Sequence, residues 1–196
     1  MRYKREVELV FDIASLQKQQ QNTSFVSLRY VAESPSQGPP EKEFFLHHIR
    51  EHLRSQPKSN KPTQPSRLLH MVSSAWNKAS AVSEHIRRLN LSFPTSVVRT
   101  SEGRVSVTAS VLLVPLQTRV EVILGLEMER RGEGMEVVVS PDARVVYGES
   151  FNVSKMIEFL KGRVWGGGTE GEGKVGWDEA VLELYKRLLV KGRQRQ

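Results

Sequence analysis

The sequence predicts an α+β fold, in which antiparallel meanders pack on helices and two units share a long central helix. Three observations predict it. First, residues 67–90, RLLHMVSSAWNKASAVSEHIRRLN, set Leu68, Val72, Ala75, Ala79, Val82, Ile86 and Leu89 at alternating spacings of four and three, one face of a helix. Second, segments of period two lie on both sides of that helix. Third, the elements after it read α-β-β-β-β-α-α, and those before it read β-β-α with the same helix as the closing element. Early stripe positions (Leu69, Val72, Trp76) are expected to serve the first half and late ones (Val82, Ile86, Leu89) the second.

Each element has a local reason. Residues 3–13 alternate, with Val7, Leu9, Phe11 and Ile13 on one side, and read as one half-buried strand. The Gln-rich stretch 14–24 is a loop. Residues 24–32 form a second strand, with Val26, Leu28 and Tyr30 on one face and Phe25 and Val31 on the other. Two strands make a poor sheet, so either another chain completes it or the front of a domain is missing. Residues 41–55 read as a helix with Phe44, Phe45, Ile49 and Leu53 inward, and 56–65 as a basic, Pro-rich linker. Ser66 is the expected N-cap of the long helix, and Pro94 lies beyond its end.

After Pro94 come strands at 96–101, 104–114, 119–128 and 135–140, with a turn at Pro141-Asp142 and a short extended piece beyond it. The short turns and the alternation indicate a meander with one buried face. Asn152 is the expected cap of a helix stapled by Phe151 and Met156. A Gly-rich loop, 165–176, precedes a last helix for which Asp178 is the expected cap and Gly192 the C-terminal residue.

Composition excludes several function classes. No apolar run approaches the ~20 residues of a membrane helix, and the chain has no cysteine, so thiolate metal sites and disulfides are ruled out. Net charge is +7. Residues 1–90 carry 14 Lys/Arg against 8 Asp/Glu, whereas 91–196 carry 15 against 14. The basic half suits an acidic peptide, an anionic surface or nucleic acid.

His48-Ile49-Arg50-Glu51-His52 fits the HxxEH pattern of zinc peptidases, but no third ligand can be identified. Gly168–Lys174 satisfies G-x-x-x-x-G-K, but Val175 replaces the magnesium-binding Ser or Thr, and Glu170 and Glu172 would repel phosphate. Arg104–Val107 approximates a phosphatase-docking motif on what reads as an inner strand. The cations Lys58, Lys61, Arg67, Arg87, Arg88, Lys191, Arg193 and Arg195 are dispersed and lack an aromatic platform for nucleic acid. No catalytic, cofactor or metal site is assigned, and the chain reads as non-enzymatic.

Several long strings carry a resemblance: MRYKREVELVFDIAS, EKEFFLHHIREHL, VSSAWNKASAVSEHIRRLN, SVTASVLLVPLQTRVEVIL and SPDARVVYGESFNVSKMIEFL. They resemble the C-terminal region of the fungal kinetochore scaffold family known as Spc-seven or blinkin. The resemblance implies tandem RWD domains: a partial N-terminal RWD at 1–66, truncated at its own N-terminus, a shared helix at 67–90 and a C-terminal RWD at 91–196. It further implies a nuclear, kinetochore location and anchorage of the scaffold to the MIND complex through a peptide tail of one subunit. A coiled-coil partner would apply only if the family's upstream coiled coil were present. The Tyr-Pro-x-x-x-Pro turn of RWD domains is absent, with Phe93-Pro94 its echo.

The residues expected to meet a peptide are Val7, Leu9, Phe11, Phe25, Leu28 and Tyr30, with Lys4, Arg5 and Arg29 as charge partners. For most of the apolar ones, a core beneath the 41–55 helix is the competing and stronger reading. The alternatives to a kinetochore module are a generic RWD adaptor, which localisation would separate, and a basic nucleic-acid binder, which steep salt dependence would reveal.

Overall fold

The computed structural model describes residues 2–3, 7–12, 24–30, 39–55, 65–99, 104–131, 134–166 and 173–194, with side chains described only from residue 39 onward. The chain forms two compact units: residues 1–80 with 130–135, and residues 81–129 with 136–196.

In the first unit, β1 (Arg2–Tyr3), β2 (Val7–Asp12) and β3 (Ser24–Tyr30) make a three-stranded sheet in that order. The single strand expected over 3–13 is thus two antiparallel strands, and the described sheet has three members rather than two. Helix α1 (Pro40–Ser55) packs against β3. It starts at a proline, whose missing N–H costs nothing in the first turn. Lys42 and Glu43 donate their N–H groups to the Pro39 carbonyl, and Glu41 and Glu43 sit favourably at the positive end of the helix dipole.

Phe44, Phe45, Leu46 and Ile49 are all buried, so α1 is covered over more of its circumference than one apolar stripe requires. α1 also approaches α2, where the Lys42 ammonium lies 5.7 Å from the Trp76 ring centroid.

Helix α2 runs Pro65–Ser92, two residues longer at each end than the periodicity predicts. At 28 residues it is ~42 Å long. Pro65 occupies its first turn, so Ser66 lies inside the helix and is not the N-cap. Phe93 N–H still bonds the Leu89 carbonyl, and Pro94 follows the last turn. The two compact units divide inside this helix, between Ser80 and Ala81. Val72 and Trp76 are buried residues of the first unit; Val82, Ile86 and Leu89 are buried residues of the second. Lys78 donates to the Met135 carbonyl at 3.0 Å, both residues belonging to the first unit.

The second unit is an antiparallel meander, β4 (Thr95–Arg99), β5 (Val105–Leu113), β6 (Thr118–Arg131) and β7 (Gly134–Tyr147), followed by α3 (Val153–Arg163) and α4 (Trp177–Arg193). Register pairs Val107 with Leu124, Ala109 with Val122 and Val111 with Val120, all buried in one layer. Met156 and Leu160 of α3 and Ala180, Val181, Leu184 and Leu188 of α4 supply the helical side of this core. Arg163 joins the two helices through Glu183, with N···O distances of 2.6 and 3.0 Å. Val105 and Val107 of the phosphatase-like motif are fully buried, as a core strand requires.

Three expectations need correction here. The strand does not turn at Pro141-Asp142: β7 continues to Tyr147. It is the last strand of the sheet, the position at which a proline is accommodated. Asn152 caps α3 as expected, its Oδ1 accepting the Lys155 N–H at 3.0 Å, but Asp178 does not cap α4. Gly176 holds the cap position instead, because Trp177 is drawn into the first helical position, fully buried with its indole N–H on the Trp165 carbonyl at 2.9 Å. Gly192 lies within α4 and is buried; a Cβ there would sit 2.2 Å from a Leu116 methyl, so close approach is its role.

His85 of α2 lies beside both tryptophans of this region, with ring centroids 4.8 Å from Trp165 and 5.5 Å from Trp177. Burial holds its pKa below the ordinary 6.5; the Asp178 charge opposes that, Arg88 adds to it and Glu84 opposes it. A lowered folded-state pKa means that the unfolded chain takes the proton first. The stability tied to neutral His85 is therefore complete above about pH 6.5 and is lost as pH falls through the lower folded value. Glu84, held down to about 2 by hydrogen bonds from Arg87 and Arg88, acts in the same direction below pH 4.5.

Denaturant unfolding followed by tryptophan fluorescence is expected to give a lower midpoint at pH 5.5 than at 7.5, with the difference reduced in His85→Gln. Equal midpoints in the parent chain would contradict this assignment.

Candidate partner-binding site

The first sheet brings the expected apolar contacts together. β2 and β3 run antiparallel with Val7 opposite Tyr30, Glu8 opposite Arg29 and Leu9 opposite Leu28. The register then shifts between Val10 and Phe11: Val10 faces Ser27, but Phe11 faces Phe25. Val26 is thus the extra residue of a bulge-like irregularity, and a one-residue slip changes which residue is brought opposite.

Strict alternation along β3 puts Phe25 on the face away from Leu28. The observed register instead sets it across from Phe11, so six sequence-predicted positions form three cross-strand pairs. Directly opposed positions are the unit of side-chain interaction in a sheet. β1 adds Tyr3 opposite Val7 and Arg2 opposite Glu8, positions that the sequence reading did not single out. Nothing in the alternation of residues 24–30 marks Val26 as the slipped residue, since both of its neighbours also suit a strand.

Charge enters at the register positions of Arg2 and Arg29, both opposite Glu8 of the central strand. Lys4 and Arg5 lie outside the described residues. β3 is an edge of the described sheet, and β1 pairs only with Val7 and Glu8, so the β1 side of β2 is unpaired from Leu9 to Asp12 among the described residues. An unpaired edge presents backbone N–H and C=O groups that an extended segment can satisfy.

In α1 the His48 ring stands edge-on to Phe44 at 4.5 Å, and His52 is buried. Among the described residues there is no group of three or more His, Cys, Asp or Glu able to hold a metal ion. Residues 168–172 of the GTEGEGK stretch lie outside the described residues, and Lys174 spends its ammonium on the Lys161 carbonyl.

Arg87 and Arg88 both bond Glu84 at 2.8 Å, which withdraws much of their charge. Lys58, Lys61 and Arg195 lie outside the described residues, as do the side chains of Arg67 and Arg193. Among the described residues no helix is long and apolar enough to cross a membrane.

In comparison with known families, residues 1–83 fit the family model described as the Knl1 RWD C-terminal domain. The chain matches no curated protein and no solved structure. The matched stretch contains the whole β1–β3 sheet, α1 and the first two-thirds of α2. Residues 1–83 are thus similar to the RWD-type C-terminal domain of the Knl1 kinetochore scaffolds.

Proposed function

We propose that the chain is a tandem RWD module that anchors a kinetochore scaffold to the MIND complex, in the nucleus, by binding a peptide tail of one MIND subunit. The observation that carries this reading is the register of β2 and β3, which gathers Val7, Leu9, Phe11, Phe25, Leu28 and Tyr30 as three cross-strand pairs inside the family-matched region. A tail adding to this sheet would gain main-chain hydrogen bonds from the unpaired edge and selectivity from alternate side chains. Arg29 would supply charge, and the basic balance of residues 1–90 favours a tail with acidic residues.

The tandem reading draws on α2, a single helix whose early and late residues belong to different compact units.

Calorimetric titration of the whole chain with synthetic tails of each MIND subunit tests the proposal. Saturable binding to one tail is expected, weakened about tenfold by Arg29→Glu, a loss of ~1.4 kcal/mol. Failure of every tail to bind a chain shown to be folded by circular dichroism overturns it.

A further inference from the structure

The two edges of the second sheet are unlike. Its order is β4-β5-β6-β7, so β4 and β7 each have one unpaired side. On β7, Pro141 has no N–H to offer, and the Ala143 N–H is bonded to Asp142 Oδ1 at 2.7 Å. These residues are two apart and aim their main-chain groups to the same side of the strand. Ala143 gives its N–H to its neighbour's carboxylate rather than to a ladder carbonyl, which makes that side the open one. A proline and a capped donor blunt an edge against pairing.

β4 has neither device. Ser110 N–H bonds the Pro94 carbonyl at 2.8 Å, and the register continues with Ser96 opposite Thr108 and Val98 opposite Ser106. Main-chain groups alternate in direction along an antiparallel strand, so Pro94, Ser96 and Val98 serve β5. The N–H and C=O groups of Thr95, Val97 and Arg99 therefore point away from β5, where no strand pairs among the described residues. Val98, on the outer face beside this edge, is 56% exposed.

The edge narrows the choice of occupant. Arg104 pairs with Glu127 at 3.3 Å, and Arg99 and Glu102 balance in formal charge, so charge selects nothing here. Five residues span only ~17 Å. Two copies of so short an edge would bury well under the ~1,200–2,000 Å² of a stable interface. A flexible extended segment needs no second folded surface, because main-chain bonds carry its affinity. β-Branched side chains in it would pack beside Val98 on the outer face and Val97 on the inner one.

We infer that β4 is a docking edge for an extended, uncharged, β-branched segment of a partner protein, separate from the β1–β3 site. The segment takes up the main-chain groups of Thr95, Val97 and Arg99 and covers Val98.

The probe is a fluorescein-labelled peptide, STVTVSVTS, followed by polarisation with the whole chain. Its fully N-methylated form, which donates no main-chain bond, is the control. The plain peptide is expected to bind saturably, equally well at low and high salt, and the methylated one not to bind. Val97→Pro removes the central edge N–H at a position where an edge strand tolerates proline, and Val98→Lys guards the edge with a charge. Each is expected to weaken binding about tenfold. Val190→Lys, exposed on α4, is expected to leave it unchanged. Circular dichroism melts verify that each variant folds, and Val98→Lys decides if Val97→Pro does not.

Equal binding of both peptides overturns the inference, as does failure of the plain peptide to bind the folded chain, or binding that Val98→Lys leaves unchanged. Binding abolished by salt overturns it too, because charge would then be the attraction. So does sedimentation showing a dimer that Val98→Lys dissociates, because a second copy would then cover the edge.

Discussion

Replacing Trp76 with alanine is expected to destabilise the first unit by about 3–5 kcal/mol. Trp76 is fully buried, near the end of the part of α2 that belongs to the first unit, with the Lys42 ammonium of α1 over its ring. Truncation removes the largest fully buried side chain described in the first unit and leaves a cavity in its core. A small domain holds only ~5–15 kcal/mol in total, so the loss consumes a large share of it.

The measurement is urea unfolding monitored by far-ultraviolet circular dichroism, and the expected result is a markedly lower midpoint. Trp76→Phe, which restores much of the volume and an aromatic face for Lys42, is expected to recover more than half of the loss. A midpoint unchanged in Trp76→Ala would mean that the first unit is not built on α2. α1, which packs on β3, would then lose the contact that Lys42 makes with this helix.

The second large effect is expected at Gly148. It follows β7 with φ of +96°, a conformation that L side chains rarely adopt. A Cβ there would lie 2.4 Å from the Thr118 hydroxyl oxygen and 2.6 Å from the Gln117 carbonyl oxygen. The Gln117 contact is backbone, so no rotamer change relieves it. Thr118 is buried, donates to the Leu116 carbonyl and accepts the Glu149 N–H, both at 2.8 Å. Gly148→Ala therefore strains the backbone and opens the latch that ties the end of β7 to the start of β6. The expected cost is about 2–4 kcal/mol.

Thermal unfolding of the variant is expected to begin at a lower temperature, with loss of near-ultraviolet signal. Thr118→Val, which keeps the shape and deletes the hydroxyl, is expected to cost less, because it removes the bonds without adding a clash. Parent-like melting of Gly148→Ala would rule out this close approach.

Local pattern determined much of the protein. The spacing of four and three in α2, the alternation in β5 and β6 and the cap at Asn152 all read directly from sequence, because helix and strand periods and a side chain bonding its own helix end depend on near neighbours. The apolar contacts of the proposed site were named for the same reason: Leu9 and Leu28 alternate with polar residues in their own strands. The α+β, RWD-type organisation of the matched region was legible in the same way, from element order and long matching strings.

Only the tertiary structure decided the rest. The slip at Val26, which brings Phe25 opposite Phe11, exists because two strands must align, and neither strand alone encodes it. β7 runs through Pro141 because it is the edge of its sheet, a position set by its partners. Asp178 has the chemistry of a cap, but burying Trp177 against the Trp165 carbonyl starts α4 earlier and gives the position to Gly176. β4 presents an open edge only because β5 has taken its other side. Sequence determined what depends on neighbours along the chain, while the energy of burying an indole or matching two backbones depends on residues distant in sequence and is settled only when the chain is folded.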